Sequence, residues 1–436
     1  MQGQSLTIDG QIWTGRRGQM LPRGRLVISD GEIVALGQVG EFPEEPTGTY
    51  LDCSDKWIIP GLIDTHSHLM FGEGNRRYEE YVREDSDDMM LLRAVKNAQI
   101  HQAVGITTLR DSGARNRIAL SVREGIERGY ISGPRILASG RPITITGGHF
   151  WWCNQEADGV EGVRSAVRTL SKEGVDFIKI MASGGGTEGT DPRRASFTND
   201  EVQAIVEEAH ARGLKCSAHC EATAAVERAV VASVDTIEHA GFQQPDGART
   251  YRPDLVEMMV TRGLSYSPTI QTAYRGLERF RDSQDPSPGD RTRIAAAHYK
   301  LRRKLENLGR MLAAGVTVVA GTDAIGQFGD YVIGLELFVY AGMNHEEALI
   351  SATSAAAEVI GLGDVTGTLE IGRSADLVVL DDNPLSDIGA LRSATVVFQQ
   401  GRLVVVPPII EDSLPESAAA SHRSDVEGVL AVGHRL

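Results

Sequence analysis

The stretch Pro60-Gly61-Leu62-Ile63-Asp64-Thr65-His66-Ser67-His68 decides how the rest of this 436-residue chain is read. A short apolar run of this kind reads as a buried strand, and it ends in two histidines one residue apart. Side chains alternate faces along a strand, so His66 and His68 point the same way and their imidazoles can grip one cation. A His-x-His pair also arises on ordinary surfaces, so its meaning depends on what the other strands bring to the same place.

Outward from that strand, residues 58–362 alternate apolar β-branched runs with longer amphipathic segments. The strand candidates are 61–65, 107–110, 135–138, 177–180, 215–218, 236–238, 265–268 and 317–320. Helical stretches lie between them, such as 291–314 and 200–212, the latter with Asn199 or Asp200 as N-cap and Gly213 as its stop. Eight strand-helix units in series predict an α/β fold, a (β/α)8 TIM barrel. An open doubly wound sheet would need a Gly-rich phosphate turn after its first strand, and there is none. Towards the N-terminus, the apolar runs 6–8, 25–28 and 33–36 are split by the turn pairs Asp9-Gly10 and Asp30-Gly31. The runs 376–380 and 395–398 repeat that style. The expected organisation is a small β-sandwich domain formed by both chain ends (1–57 and 363–406) with the barrel (58–362) inserted between them. Residues 407–436, rich in Ser, Ala, Glu and Pro, read as a C-terminal extension.

A hydrophobic fraction of 41% with 24% charged residues is that of a soluble globular protein. The formal net charge of -15 offers no basic field for phosphates, which argues against a nucleic-acid partner. The four cysteines are scattered, as suits a reducing compartment. There is no basic-then-apolar leader and no run long enough to span a membrane, so a cytoplasmic protein without a membrane partner is expected.

Active sites of such barrels lie at the C-terminal ends of the strands. The first strand ends in His66 and His68, the fourth carries Lys179 within an apolar run, the fifth ends in His219, the sixth in His239 and the eighth in Asp323. Each has a bland explanation taken alone. A strand-end His is more often structural, a strand Lys snorkels to water, and an Asp after a strand caps the next helix. Those explanations are independent, and the full set at the ends of five strands is hard to reach by accident.

With those residues in place the chain resembles the amidohydrolase superfamily, in its binuclear-metal branch. The resemblance rests on the first strand, Lys179, His219, Glu238-His239 and Gly321-Thr322-Asp323. It also rests on the terminal run Gly367-Thr368-Leu369-Glu370-Ile371-Gly372-Arg373-Ser374-Ala375-Asp376-Leu377-Val378. Thr146-Gly147-Gly148-His149 and the run from Phe177 to Gly185 make it most similar to the imidazolonepropionase-related and metal-dependent prolidase-like group. The resemblance implies that His66, His68 and Asp323 hold one divalent metal ion, that His219 and His239 hold a second, and that Lys179, carboxylated by CO2, bridges them. Imidazoles and carboxylates suit zinc. Such a site lowers the pKa of water from 15.7 towards about 7, so a bridging hydroxide is available to attack an amide-type carbonyl. Asp323 would carry the proton to the leaving nitrogen.

The expected function is hydrolysis of a small-molecule amide, an N-acyl amino acid or dipeptide-like compound. The alternatives are hydrolysis of cyclic amides, ureas or carbamates, a mononuclear deaminase, which would lack the bridging lysine, and a non-enzymatic scaffold, which would have lost ligands. His149, after the flexible Gly147-Gly148, is the expected substrate contact of catalytic importance. Tyr266, Trp151 and Arg193 are further substrate-binding candidates, Arg193 as a carboxylate partner. Residues 71–84, 149–158, 184–194 and 324–331 are expected to line the pocket. Cys216 and Cys220 flank His219, but alternation turns Cys216 towards the helices, and His101, His210, His298 and His345 read as surface or core histidines. Relatives of this kind are commonly homo-oligomers.

Overall fold

The computed structural model describes residues 5–46, 48–72, 78–153, 155–280, 287–405 and 429. Apart from Val429, the expected C-terminal extension lies outside the described residues, as do 73–77 and 154 of the pocket-lining segments.

The strands in chain order are β1 (Leu6–Trp13), β2 (Met20–Ser29), β3 (Glu32–Gln38), β4 (Thr49–Pro60), β5 (Leu62–Ser67), β6 (Ile106–Asp111), β7 (Arg135–Ala138), β8 (Phe177–Met181), β9 (Lys215–His219), β10 (Thr236–Glu238), β11 (Ser265–Ser267), β12 (Thr317–Val318), β13 (Leu377–Leu380), β14 (Ala394–Gln399) and β15 (Arg402–Leu403). Strands from both chain ends join in one sheet, ordered β15-β14-β13-β4-β1-β2-β3. β4 holds the two ends together, pairing parallel with β1 and antiparallel with β13. Ile8, Ile12, Leu26, Ile58, Leu377 and Val379 form its core. The strands are hydrogen-bonded into one seven-stranded sheet, with an irregularity between Gly10 and Gln11 where β1 meets β4. Such bulges bend and twist a sheet locally.

The middle of the chain forms a parallel α/β region. β5-β6-β7 and β8-β9-β10-β11-β12 are both all-parallel, and their near-continuous burial is what strands covered on both faces require. Backbone bonds cross the gaps between these two sets. Ile143 N–H donates to Lys179 O (2.9 Å) beside β8, and Thr65 N–H donates to Ala320 O (3.0 Å) beside β5. The chain passes from the sheet into β5 through Gly61 alone. A Cβ there would sit 2.1 Å from Thr107 Oγ1, so only glycine fits this close approach.

The helix expected from 200 starts one residue earlier, as Asn199–His210, and its N-cap is Thr198 rather than Asn199 or Asp200. Thr198 and Glu201 form a capping box that the Thr-x-x-Glu spacing encodes. The helix expected from 291 is Pro288–Ala313, capped by Ser287 with proline in its first turn. No helix among the described residues is long and apolar enough to cross a membrane.

Candidate metal centre

The two histidines after the first apolar run do lie side by side. His66 and His68 are buried, with their Nε2 atoms 3.3 Å apart, and Asp323 Oδ1 is 3.5 Å from each. The protons on these rings are fixed by their outer partners. His68 Nδ1 lies 3.0 Å from the carbonyl oxygen of Gly113, which can only accept, so Nδ1 carries the hydrogen. His66 Nδ1 lies 2.7 Å from Glu238 Oε2 and donates to that carboxylate. With Nδ1 as the donor, each ring in its metal-binding form turns an Nε2 lone pair inward. In that form two lone pairs and a carboxylate oxygen face one another with no donor between them among the described residues, an arrangement that repels unless a cation sits at its centre. The donor set fits a metal ion on that ground.

Asp323 is brought there by the loop after β12. Its N–H donates to His66 O (2.6 Å), and its φ of +52° lies in the left-handed region, an uncommon conformation for a non-glycine residue. Asp64 ties the two loops together, accepting from His66 N (3.0 Å), Thr322 N (3.0 Å) and Thr322 Oγ1 (2.6 Å). Burial raises its carboxyl to about 7.

His219 and His239 complete the cluster, with ring centroids 4.5 Å apart, and His239 is 5.3 Å from His66. His219 Nε2 donates to Gly184 O (3.2 Å), which leaves Nδ1 as its free ligand atom. Thr269 Oγ1 donates to Pro268 O (2.9 Å), so it accepts from His239 Nδ1 (2.6 Å) and leaves Nε2 free. Lys304 Nζ also donates to Pro268 O (3.1 Å), holding that turn from the helix behind it. His239 has φ +66°. This break in strand geometry lets consecutive residues serve one site. Glu238 meets His66, Arg110 Nη2 (2.7 Å) and Ser217 Oγ (2.6 Å), while His239 turns to Thr269. Burial and the neighbouring rings hold His68 and His239 well below the usual imidazole range, and burial lowers His219 to about 3.

Lys179 is 1% exposed, and its Nζ has no hydrogen-bond partner among the described residues. Burial is the largest influence on the amine and lowers it to about 8, against the opposing pull of Glu238. A buried amine left without a partner is costly as it stands. Its environment suits chemistry that converts it into something else.

His149 packs against His219, with ring centroids 4.6 Å apart and planes tilted by 47°, and its Nδ1 meets Thr187 Oγ1 at 2.7 Å. Gly185 makes room for this ring, since a Cβ there would lie 2.5 Å from Nε2. The three other substrate-binding candidates sit as follows. Tyr266 is 1% exposed, and its hydroxyl is committed to His239 O (3.2 Å), where it braces the ligand loop. Trp151 is 40% exposed, whereas Trp152 is buried against Phe71 and Phe150, whose ring adjoins His68. Arg193 is exposed and bound bidentate to Asp191 (2.9 Å each), two residues away on its own loop. Asp111 orders the neighbouring loops: it accepts from Leu69 N (3.0 Å) and Gly113 N (3.1 Å). His101 is buried against Ser67, and Cys216 and Cys220 are buried.

Sequence reasoning passed over Arg110, Thr269 and Lys304, and used Glu238 only as part of a motif. A carboxylate and a guanidinium inside strands were the available signals. Both are fully buried, and unpaired charges there would be prohibitive.

Comparisons with known proteins identify the family. The amidohydrolase family profile matches residues 57–414. The chain is 29% identical to the ochratoxinase of Aspergillus niger over 90% of this chain and 85% of that protein. It is 26% identical to the imidazolonepropionase of Acidiphilium cryptum over 84% of this chain and 88% of the other. A solved Xaa-Pro dipeptidase with methionine in its active site superposes with a TM-score of 0.81 at 27% identity, covering 92% of this chain and 99% of that one. The chain belongs to the amidohydrolase family and is a hydrolase of carbon–nitrogen bonds.

Proposed function

We propose that the two parallel sets of strands make one (β/α)8 barrel, that the end sheet curls around its own core as a sandwich domain, and that the residues at the strand ends hold two zinc ions. His66, His68 and Asp323 would hold one, His219 and His239 the other, with Lys179 as the bridge. The convergence of bare Nε2 atoms and the Asp323 carboxylate carries this reading. For Lys179 to bridge, its neutral amine adds CO2 at nitrogen and releases a proton, becoming an anion with two oxygens. Its missing partner and lowered basicity support that step. When bound, the cations supply Lewis acidity and make a water acidic enough to attack near neutral pH.

The chain's own groups do the rest. Asp323, 15% exposed, accepts the proton of the attacking water and returns it to the leaving nitrogen as the C–N bond breaks. His149, held by Thr187, contacts the substrate carbonyl or carboxylate. The substrate class is an N-acyl amino acid or dipeptide-like amide, supported by the likeness to the Xaa-Pro dipeptidase. A hydrolysis screen of the metal-loaded protein against N-acyl amino acids, dipeptides, lactams and aryl ureas tests this. Turnover confined to lactams or ureas would replace the substrate reading, and no turnover with two metals bound would reject it.

A further inference from the structure

Two groups of three suitable ligands converge among the described residues: His66, His239 and Asp323 at the centre above, and His210, Cys216 and Asp235 elsewhere. We propose that the second group is a separate binding site for one borderline-soft divalent cation of the zinc type. It does not belong to the proposed catalytic centre. Cys216 is the second residue of β9 and Asp235 directly precedes β10, so both stand at the N-terminal ends of strands whose opposite ends carry His219 and His239. Ser217 and His219 of β9 turn to the interior, where Ser217 meets Glu238. Alternation therefore sends Cys216 outward, beneath the helix Asn199–His210, whose last residue is His210.

The geometry is close to what coordination needs. His210 Nε2 and Asp235 Oδ2 are 2.8 Å apart, and Asp235 is oriented by the Cys216 N–H (2.8 Å). No two of the three ligand atoms are farther apart than 4.8 Å, so a common centre lies within about 2.8 Å of each (4.8/√3). Zinc bonds run at about 2.0–2.3 Å, which asks for sub-ångström adjustments. On binding, the Cys216 thiol loses its proton to solvent as the metal–sulfur bond forms. Thiolate and carboxylate then neutralise the dication, and imidazole adds a neutral third ligand. The His210 and Asp235 side chains are 42% and 28% exposed, which gives a water access to the fourth position. Bound metal would pin the helix to the strands from outside. The competing account is a His–Asp ion pair beside an inert core thiol.

Cobalt(II) substituted for zinc throughout the full-length protein separates the two, because the proposed catalytic ligands contain no sulfur. The expected result is a thiolate-to-cobalt charge-transfer band, lost in both Cys216→Ser and His210→Gln, each variant binding one metal equivalent fewer than wild type. His210→Gln alters a half-exposed side chain and should hydrolyse substrate at the wild-type rate. It decides the question even if Cys216→Ser fails to fold. Absence of the band, or its survival in either variant, would overturn the proposal.

Discussion

Replacing Glu238 with glutamine perturbs the site at its most constrained point. Glu238 is fully buried and Arg110 2% exposed, and one carboxylate serves three donors. Arg110 and Ser217 share Oε1, while His66 holds Oε2. In Glu238→Gln the amide oxygen keeps Arg110 and Ser217, so the amide nitrogen faces His66 Nδ1. Two N–H groups cannot face each other. His66 must move its proton to Nε2, where it points into the cation site. The buried guanidinium also loses its counter-charge, which costs about 3–5 kcal/mol when one partner of such a pair is removed. Loss of the carboxylate behind a metal-ligating histidine costs about 10–100-fold in metal affinity. Denaturant unfolding of the metal-free protein reads the first effect as a lower midpoint at unchanged slope, and a chelator competition titration reads the second. The double variant Arg110→Met/Glu238→Gln removes the stranded charge, so it should regain most of the stability and none of the affinity. A Glu238→Gln protein within about 1 kcal/mol of wild type, binding metal as tightly, would refute the reasoning.

Asp323→Asn should keep most of the bound metal, since the imidazoles remain, yet lose nearly all turnover, general acid–base groups contributing about 10²–10⁴-fold; an active Asn variant would remove Asp323 from proton transfer. Thr269→Val preserves shape and branching but deletes the acceptor for His239 Nδ1. Metal titration should show roughly a 10–100-fold weaker site, and unchanged affinity would show that the ring needs no such anchor. Asp111 gives a pH test. Burial raises its carboxyl from 3.8 to about 6, so between those values the folded protein binds more protons than the unfolded chain. Its contribution to stability is therefore greatest below about pH 4 and falls as pH rises towards 6, by about 2–3 kcal/mol. In unfolding measurements across that window, the stability of wild type relative to Asp111→Asn should decline with rising pH; a flat or rising difference would contradict the sign.

The parallel strands and their terminal residues were legible because they follow from local physics. β7 and β10 begin and end where periodicity placed them, and the ends of β5, β9 and β10 lead into His68, His219 and His239. β4 is hard to read in Thr49–Pro60 because the polar residues Asp52, Ser54, Asp55 and Lys56 interrupt its middle. Its burial comes only when β1 and β13 pair with it, a contact between distant parts of the chain. The Thr198 cap was missed although its capping box is local, since Asn199 and Asp200 carry equally good capping side chains. Side-chain direction at the pocket is the least legible feature. Tyr266, Trp151 and Arg193 have side chains whose direction is set by neighbours such as His239 O and Asp191, which no spacing rule reveals. Glu238 and Arg110 show the converse: their pairing is visible only once β6 and β10 are brought together.

The most direct test of the centre is an electron-density map of protein crystallised with bicarbonate and zinc. The account predicts two metal peaks among His66, His68, His219, His239 and Asp323, joined by a carboxylate grown on Lys179 Nζ. A bare amine turned away from the imidazoles, in protein that still hydrolyses its substrate, would contradict it.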